Sequence, residues 1–284
     1  MSSFQYYAYK GLSGIFKSFS EKLYYGQYFN LVDSAKKESQ NSENIKSKQI
    51  WTMWLQEEIP EICSMCIDSI KSFYPNTIVI TEKNINEYIT IPDYIMNKYK
   101  NGKIRPCFLS DYIRVCLLDK FGGVWIDSTC YLTQKIPEYI FKSNFFVLKS
   151  FETDAKKCRM SNFFIYSDKN GFFVKLLKNF LEEYWKKQDK EIYYFFFHRF
   201  IKTVVIHNNF AREQWDNIPI GLNINTKLMY KIIFKDFDED IYNWLCETSF
   251  IHKLTYKRLE QKDNNPNSLY RYLISNYHNK KAPV

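Results

Sequence analysis

The segment Ser110–Thr129, SDYIRVCLLDKFGGVWIDST, holds the pattern that decides the fold. Its apolar residues repeat with a helical period, which predicts a helix over about 106–121. Gly122 and Gly123 then end the helix, and residues 124–127 have the composition of a buried strand that finishes on an acidic side chain. A helix that turns directly into such a strand is typical of an open α/β sheet.

The segments before this one alternate between strand and helix. Residues 50–55 are a short apolar strand, 61–73 have apolar residues on one side of a helix, 77–81 are a β-branched strand, and another helix begins at Pro92. This order predicts a nucleotide-binding half of Rossmann type, and we expect one domain over residues 49–284. Further strands are predicted at 144–149 and 162–166, a strand or loop at 249–254, and helices at 172–187, 191–207 and 267–277.

The composition is that of a globular protein. Apolar residues make up 45% of the chain and charged residues 25%, which allows a sizeable core. No apolar run approaches the roughly 20 residues of a membrane-spanning helix. Residues 1–10 lack the features of a secretory signal, so we expect a cytoplasmic protein with reduced cysteines. Cys63 and Cys66 have no second pair to complete a zinc site and are expected in the core.

The net charge of +9 suggests an anionic partner. The excess is concentrated in residues 251–284, which contain seven basic and two acidic side chains. This positive charge is compatible with three kinds of anionic partner: nucleotide phosphates, nucleic acid and acidic lipid headgroups. No recognition helix, RNP-like segment or zinc motif is present in the sequence, so we expect no nucleic-acid partner.

Residues 1–48 combine aromatic and lysine side chains and then become polar, which predicts a helical lead-in followed by a linker. Two roles are open for the lead-in. It can pack on the domain, or it can rest its rings at the surface of an acidic membrane. The second role would make the protein peripheral at the inner face of the plasma membrane.

Asp111 and Arg114 are three residues apart on the predicted helix and therefore share one face. Alone, such a pair is an ordinary ion pair. The position of the pair suggests a role in ligand binding. Ligands of open α/β sheets lie outside the carboxyl ends of the strands, and Asp127 ends its strand there. A carboxylate at this place can hold a divalent cation that bridges to a diphosphate.

The segment Ser110–Thr129 resembles the central signature of the capsular polysaccharide synthesis glycosyltransferases, close to glycosyltransferase family 32, which reads S-D-x-x-R and then L-x-x-x-G-G-x-[WY]-x-D-x-D. Residues 50–71, IWTMWLQEEIPEICSMCIDSIK, resemble the opening strand and helix of that family. Residues 161–185 and 249–257 are similar to its middle and closing motifs. The resemblance covers roughly residues 49 to 260 in the family's order.

This resemblance implies a GT-A type fold, with a mixed sheet, added helices and a nucleotide-sugar donor. A UDP-hexose is the favoured donor, with Mn²⁺ or Mg²⁺ as cofactor. By position, Trp54 stacks on the base, Asp111 and Arg114 contact the donor sugar, and Asp127 is the first carboxylate of the metal and ribose motif.

The resemblance also assigns the closing motif. His252 matches a position that completes the metal site or touches the diphosphate, although a hydrogen-bonded core imidazole is an equal alternative. Lys253 and Lys257 lie where cations can hold the leaving group. Thr129 stands in place of the second acid of the motif, and its neutral hydroxyl is a weaker metal ligand, so metal dependence is open.

The leading hypothesis is a retaining glycosyltransferase that moves a hexose to a growing surface or capsular polysaccharide repeat. Its acceptor would be a lipid-linked oligosaccharide or another glycan. The missing second acid keeps an alternative, a non-catalytic nucleotide-sugar or glycan-binding module. Among other residues, Trp51 is expected in the core, and His198 and His207 are expected to be structural.

Overall fold

A computed structural model describes residues 14–43, 45–149, 160–221, 225–257, 259 and 263–281. Within them, a five-stranded sheet has the order β2-β1-β3-β6-β5, and β4 and β7 form a separate antiparallel pair. β1 is parallel to β2 and β3, whereas β6 is antiparallel to β3 and β5. The strands are β1 Ile50–Met53, β2 Ile78–Ile80, β3 Gly123–Ile126, β4 Cys130–Leu132, β5 Phe145–Lys149, β6 Met160–Ser167 and β7 Ile251–Lys253.

Helices cover the sheet, so the predicted α/β fold with a mixed sheet, of Rossmann-like GT-A type, is confirmed. The helices are α1 Gly14–Gly26, α2 Asn30–Gln40, α3 Glu61–Phe73, α4 Ile85–Tyr88, α5 Asp93–Lys100, α6 Pro106–Phe121, α7 Glu138–Lys142, α8 Phe172–Lys187, α9 Phe196–His207, α10 Asn209–Asp216, α11 Leu228–Lys231, α12 Glu239–Thr248 and α13 Leu269–Lys281. None of the helices in the described ranges has the length and apolar character needed to cross a membrane.

The strand order reverses beside β1. The chain passes from β1 to β2 on one side, and then crosses to β3 on the other side of β1. The carboxyl ends of β1 and β3 therefore flank a crevice of the kind in which open α/β sheets bind ligands. Trp54 follows β1 and Asp127 follows β3, so both residues lie at this edge.

The Gly122–Gly123 turn brings β3 beside β1. Both residues have positive φ, 67° and 100°, a region that side chains with a Cβ rarely adopt. A Cβ on Gly123 would lie only 2.2 Å from the carbonyl oxygen of Gln49. The next residue, Val124, donates its N–H to that same oxygen at 2.8 Å. Only glycine allows this approach, which sets the register that carries Asp127 to the crevice.

The lead-in helices α1 and α2 pack on the domain, against α9 and α8. Tyr24, Tyr25 and Tyr28 of this region are buried in the main hydrophobic core. Tyr25 and Tyr28 contact Phe180 edge to face, and the Phe180 ring stacks on Phe200 with centroids 3.8 Å apart. Residues 1–13 of the predicted lead-in lie outside the described residues.

A second core cluster joins the C-terminal elements to α3. Cys63 and Cys66 are buried there, as predicted, with residues from α12 and α13. This packing supports β7, which pairs with β4. Arg258 and Lys262 of the predicted basic tail lie outside the described residues. Trp51 is buried, also as predicted, and donates its indole N–H to the carbonyl of Gly122 at 2.9 Å.

The largest differences between predicted and observed boundaries are at two helices. The helix expected over 191–207 begins at Phe196, because the Tyr184 hydroxyl donates to the Lys190 carbonyl at 3.0 Å and accepts from the Ile192 N–H at 2.7 Å. These bonds hold the preceding residues in an irregular loop. The last helix begins and ends later than predicted, at Leu269 and Lys281. β4 and helices α4, α7 and α10 to α12 were not predicted.

Candidate active site

A cavity of about 420 Å³ opens at the carboxyl ends of β1 and β3. Its size lies within the range of small-molecule sites. The predicted residues that line it come from four parts of the chain: the segment after β1, helix α6, the β3–β4 turn, and the end of β7 with the residues that follow it. They are Trp54, Asp111, Arg114, Asp127, Thr129, Lys253 and Lys257.

Asp111 and Arg114 do not form a surface ion pair. Helix α6 is buried around most of its circumference, and the two side chains are only 9% and 5% exposed. The Arg114 guanidinium lies 3.2 Å from Asp111 Oδ1 and donates to the Asn162 carbonyl at 2.6 Å and to Ser110 Oγ at 3.0 Å. Asn162 also donates its side-chain amide to Asp111 Oδ1 at 2.8 Å. The pair is therefore rigidly held at the pocket wall.

Asp127 joins this group from the end of β3. Its Oδ1 accepts the Trp125 indole N–H at 2.8 Å and lies 3.3 Å from an Arg114 nitrogen. Its Oδ2 accepts a hydrogen bond from Lys253 Nζ at 2.6 Å. The Arg114 guanidinium also lies over the Trp125 ring, 5.1 Å from its centroid. Arg114 thus connects the carboxylate of α6 to the carboxylate of β3.

The two carboxylates differ in their pKa values. Burial raises the pKa of Asp111 to about 6, although the Arg114 charge opposes the rise. Burial also acts to raise the pKa of Asp127, but the charges of Lys253 and Arg114 outweigh it and lower that pKa to about 2. Asp127 is therefore a stable anion at neutral pH, whereas Asp111 can take up a proton in mild acid.

Strand pairing places Lys253 beside the β3–β4 turn. β7 is antiparallel to β4 with Lys253 opposite Cys130, and the Leu254 N–H donates to the Thr129 carbonyl at 2.8 Å. Lys253 Nζ then reaches Thr129 Oγ1 at 2.6 Å as well as Asp127. Burial opposes the charge of Lys253, but Asp127 outweighs it and raises the ammonium pKa above its ordinary value.

His252 does not join this site. Successive residues of a strand point to opposite faces, so the neighbour of Lys253 is directed away from Asp127. The ring of His252 is fully buried, and its Nε2 lies 3.3 Å from Thr133 Oγ1. Burial lowers the pKa of His252 to about 4. The geometry therefore favours the core imidazole over the predicted metal ligand.

Trp54 lies at the other end of the cavity. Its indole N–H donates to the Glu58 carbonyl at 2.8 Å, and its ring meets Tyr256 edge to face at 5.2 Å. Lys257 lines the same end. The aromatic corner formed by Trp54 and Tyr256 offers a face on which a planar ring can stack.

Several lining residues were missed from the sequence. Asn162 lies in the segment that resembles the family's middle motif, so that motif was its signal. His198 was predicted to be structural, yet it lines the cavity with Tyr194 and Phe195. Among the described residues, His198 Nδ1 has no hydrogen-bond partner. Burial, with the nearby charges of Arg114 and Lys227, lowers the pKa of His198 to about 4.

The residues at Asp127 do not fit the predicted Mn²⁺ or Mg²⁺. These cations prefer several charged oxygen ligands. Here Asp127 already contacts Lys253 and Arg114, Asp111 is bonded to Arg114, and the Thr129 hydroxyl accepts from Lys253. Across the described parts of the chain, no group of three or more His, Cys, Asp and Glu side chains is arranged to hold a metal ion.

Comparison with known families gives one match. The sequence model of the family described as capsular polysaccharide synthesis protein matches residues 16–273, which include both core clusters and every residue of the cavity named above. A comparison with curated proteins finds no match.

Proposed function

Because the chain belongs to the family of capsular polysaccharide synthesis proteins, we propose that it is a glycosyltransferase that moves a hexose from a nucleoside-diphosphate sugar to a growing surface or capsular polysaccharide repeat. Family membership implies a role in capsule biosynthesis, with a sugar donor and a glycan acceptor in general terms. One observation carries the finer proposal: Asp111, Arg114, Asp127 and Lys253 meet at the carboxyl ends of β1 and β3.

The donor, with UDP-hexose favoured, would lie along the cavity. The base stacks at the corner of Trp54 and Tyr256, where a ring can be covered by aromatic faces. The sugar lies against Asp111, whose carboxylate can accept hydrogen bonds from its hydroxyls. The diphosphate lies between them, near Lys253 and Lys257.

The acceptor would approach along the wall formed by Tyr194, Phe195 and His198. Tyr194 and Phe195 are 54% and 46% exposed, which is high for aromatic rings beside a cavity. Such rings can cover the apolar face of a sugar. His198 Nδ1, which has no hydrogen-bond partner in the described parts of the chain, can accept a hydrogen bond from an acceptor hydroxyl.

Transfer breaks the bond between sugar C1 and the β-phosphate oxygen, which keeps the electron pair, and forms a bond from C1 to the acceptor oxygen. Asp127 is bound to Lys253 and Arg114, and Asp111 has Oδ1 bonded to Arg114 and Asn162 and is assigned to the donor's hydroxyls, so we give neither carboxylate the role of nucleophile or base. His198 is a weak base, with a pKa of about 4. We therefore assign the acceptor proton to the leaving phosphate, on the same face of the sugar, with retention of configuration.

The acceptor class we propose is a lipid-linked oligosaccharide, reached by peripheral contact with the inner face of the plasma membrane. The net charge of +9 supports contact with acidic headgroups. Among the described residues of the lead-in, Tyr24, Tyr25 and Tyr28 are buried in the core and do not supply that contact. Exposed basic side chains would provide it.

The test is a panel of nucleoside-diphosphate sugars, screened for thermal stabilisation and for slow hydrolysis or transfer. A ligand present at 100 times its Kd stabilises the fold by about 2.7 kcal/mol. We expect one donor class to stabilise the protein and to be turned over, and Arg114→Ala to abolish both effects. Arg212→Ala is the control, because Arg212 bonds to the carbonyl of Val205 outside the pocket.

Two results would contradict the proposal. Stabilisation by a donor without any hydrolysis or transfer would favour the alternative, a non-catalytic binding module. No response to any nucleotide sugar would remove the donor from the proposal altogether. Anomeric proton couplings of the product measure the configuration, and a β-linked product from an α-linked donor would refute retention.

A further inference from the structure

The ammonium of Lys253 lies between the two side chains that would bind a metal in the motif this sequence resembles. Its Nζ is 2.6 Å from Asp127 Oδ2 and 2.6 Å from Thr129 Oγ1. Divalent cations bind carboxylate oxygens at about 2.0–2.6 Å. A metal bridging positions 127 and 129 would therefore need the space that the ammonium fills.

The neutral side chain of Thr129 is compatible with a lysine at this place. An ammonium carries a single positive charge, and one carboxylate, Asp127, balances it. The hydroxyl of Thr129 accepts the second hydrogen bond without adding a charge. A second acid at position 129 would suit a divalent cation better than a lysine. The replacement of the motif's second acid by Thr129 and the position of Lys253 are therefore both explained if an ammonium occupies the place of the metal.

The fold holds Lys253 firmly in this place. The Asp127–Cys130 turn is closed by a hydrogen bond from the Cys130 N–H to the Asp127 carbonyl at 2.9 Å. β7 pairs with β4 directly after that turn and brings Lys253 opposite Cys130. Its side chain is 25% exposed, and its Nζ lies 5.5 Å from the centre of the Phe163 ring. The ammonium therefore lies over the Phe163 ring and lines the cavity.

We infer that Lys253 is the built-in cation of this site, that its ammonium bridges Asp127 to the diphosphate of the donor, and that the reaction needs no divalent metal. The inference rests on the proposed function. An ammonium has three N–H donors, and Asp127 and Thr129 use two of them. The third is available for a phosphate oxygen. As the C1–O bond breaks, the electron pair stays on the β-phosphate oxygen, and the Lys253 charge stabilises it without transfer of its proton.

The first experiment uses the unaltered full-length protein and UDP as the probe. Calorimetry measures the Kd of UDP in EDTA and again in Mn²⁺ or Mg²⁺. We expect the values to agree within about twofold. Lys253→Met should weaken UDP binding about ten- to a hundredfold in both buffers, the range for a lost charged hydrogen bond. Lys186→Met, an exposed lysine paired with Glu183 on α8, is the matched control and should change nothing.

The second experiment exchanges the cation. In the double variant Thr129→Asp with Lys253→Ala, two carboxylates face an emptied space, and we expect UDP binding to become dependent on Mn²⁺. Binding of Mn²⁺ alone, followed by its electron paramagnetic resonance signal, gives a readout that needs no turnover. Thr129→Val keeps the lysine and should remain independent of metal.

The outcomes separate the two levels of the proposal. UDP binding by the unaltered protein that tightens tenfold or more with Mn²⁺, or that disappears in EDTA, overturns the inference and leaves the proposed function standing. A double variant that binds no Mn²⁺ also counts against a shared cation position. Failure of UDP and of other nucleoside diphosphates to bind in either buffer would overturn the proposed function and this inference together.

Discussion

Asp111→Asn offers a direct test of the buried pair on α6. The pKa of Asp111 is raised from 3.8 to about 6, so the folded protein holds a proton on this carboxyl at pH values where the unfolded chain has lost it. The stabilisation by Asp111 is therefore fully present below pH 3.8 and is lost as the pH rises through 6. From these two pKa values, the free energy of unfolding of the wild type should rise by about 1.4 kcal/mol relative to that of the variant when the pH is lowered from 8 to 5.

The assay is urea unfolding of both proteins at pH 8 and at pH 5. Asparagine keeps an oxygen that can accept the Asn162 amide, so the variant should fold. Titrating groups common to the two proteins, such as His198 and His252, cancel in the difference. A surface ion pair would lower the pKa of Asp111 below 3.8, and the difference in unfolding free energy would then stay almost constant between pH 8 and pH 5. A difference that moves by less than about 0.3 kcal/mol would refute the buried assignment.

The remaining predictions concern the site and its surroundings. Asp127→Asn should lower turnover at least about a hundredfold, the scale of one lost charge-stabilising group. Asp119→Asn is the control and should not lower turnover, because Asp119 pairs with Lys175 outside the pocket. Near-normal turnover in a folded Asp127 variant would contradict the assignment of Asp127 to the active site. Trp54→Phe should keep most donor affinity and Trp54→Ala should cost about 1–3 kcal/mol by calorimetry, and equal small effects would move base stacking elsewhere. Burial lowers the pKa of His252 from 6.5 to about 4, so its contribution to the free energy of unfolding is lost as the pH falls from 6.5 towards 4. The free energy of unfolding of His252→Gln should therefore fall by about 2 kcal/mol less than that of the wild type between pH 7 and pH 5. The same pH profile in both proteins would place the imidazole outside the core.

Local patterns in the sequence predicted the part of the fold that carries Asp111 and Asp127. The helix expected over 106–121 is observed with those bounds, because Pro106 starts it and Gly122 stops it. The apolar runs predicted as strands at 50–55 and 124–127 became β1 and β3. These elements depend on neighbours within a few residues, and for that reason their order alone placed both carboxylates at one edge of the sheet.

The contacts that complete the site depend on distant parts of the chain. Lys253 reaches Thr129 only through the pairing of β7 with β4, and each of these strands has three residues, too few for a periodic signal. The place of His198 at the cavity was not predicted, because it follows from how α9, which begins at Phe196, packs on distant elements. Apolar neighbours on α9 gave no indication that one of its faces borders a cavity.

The bond between Asp127 and Lys253 also has a consequence in time. The two residues are 126 positions apart, and ribosomes add about 5–20 residues per second, so Lys253 is synthesised about 6–25 s after Asp127. Until then Asp127 has Arg114 as its nearby cation, and β4 has no strand to pair with. A growing chain therefore cannot hold the complete charge cluster, and the proposed diphosphate site is assembled only when β7 has left the ribosome and paired with β4.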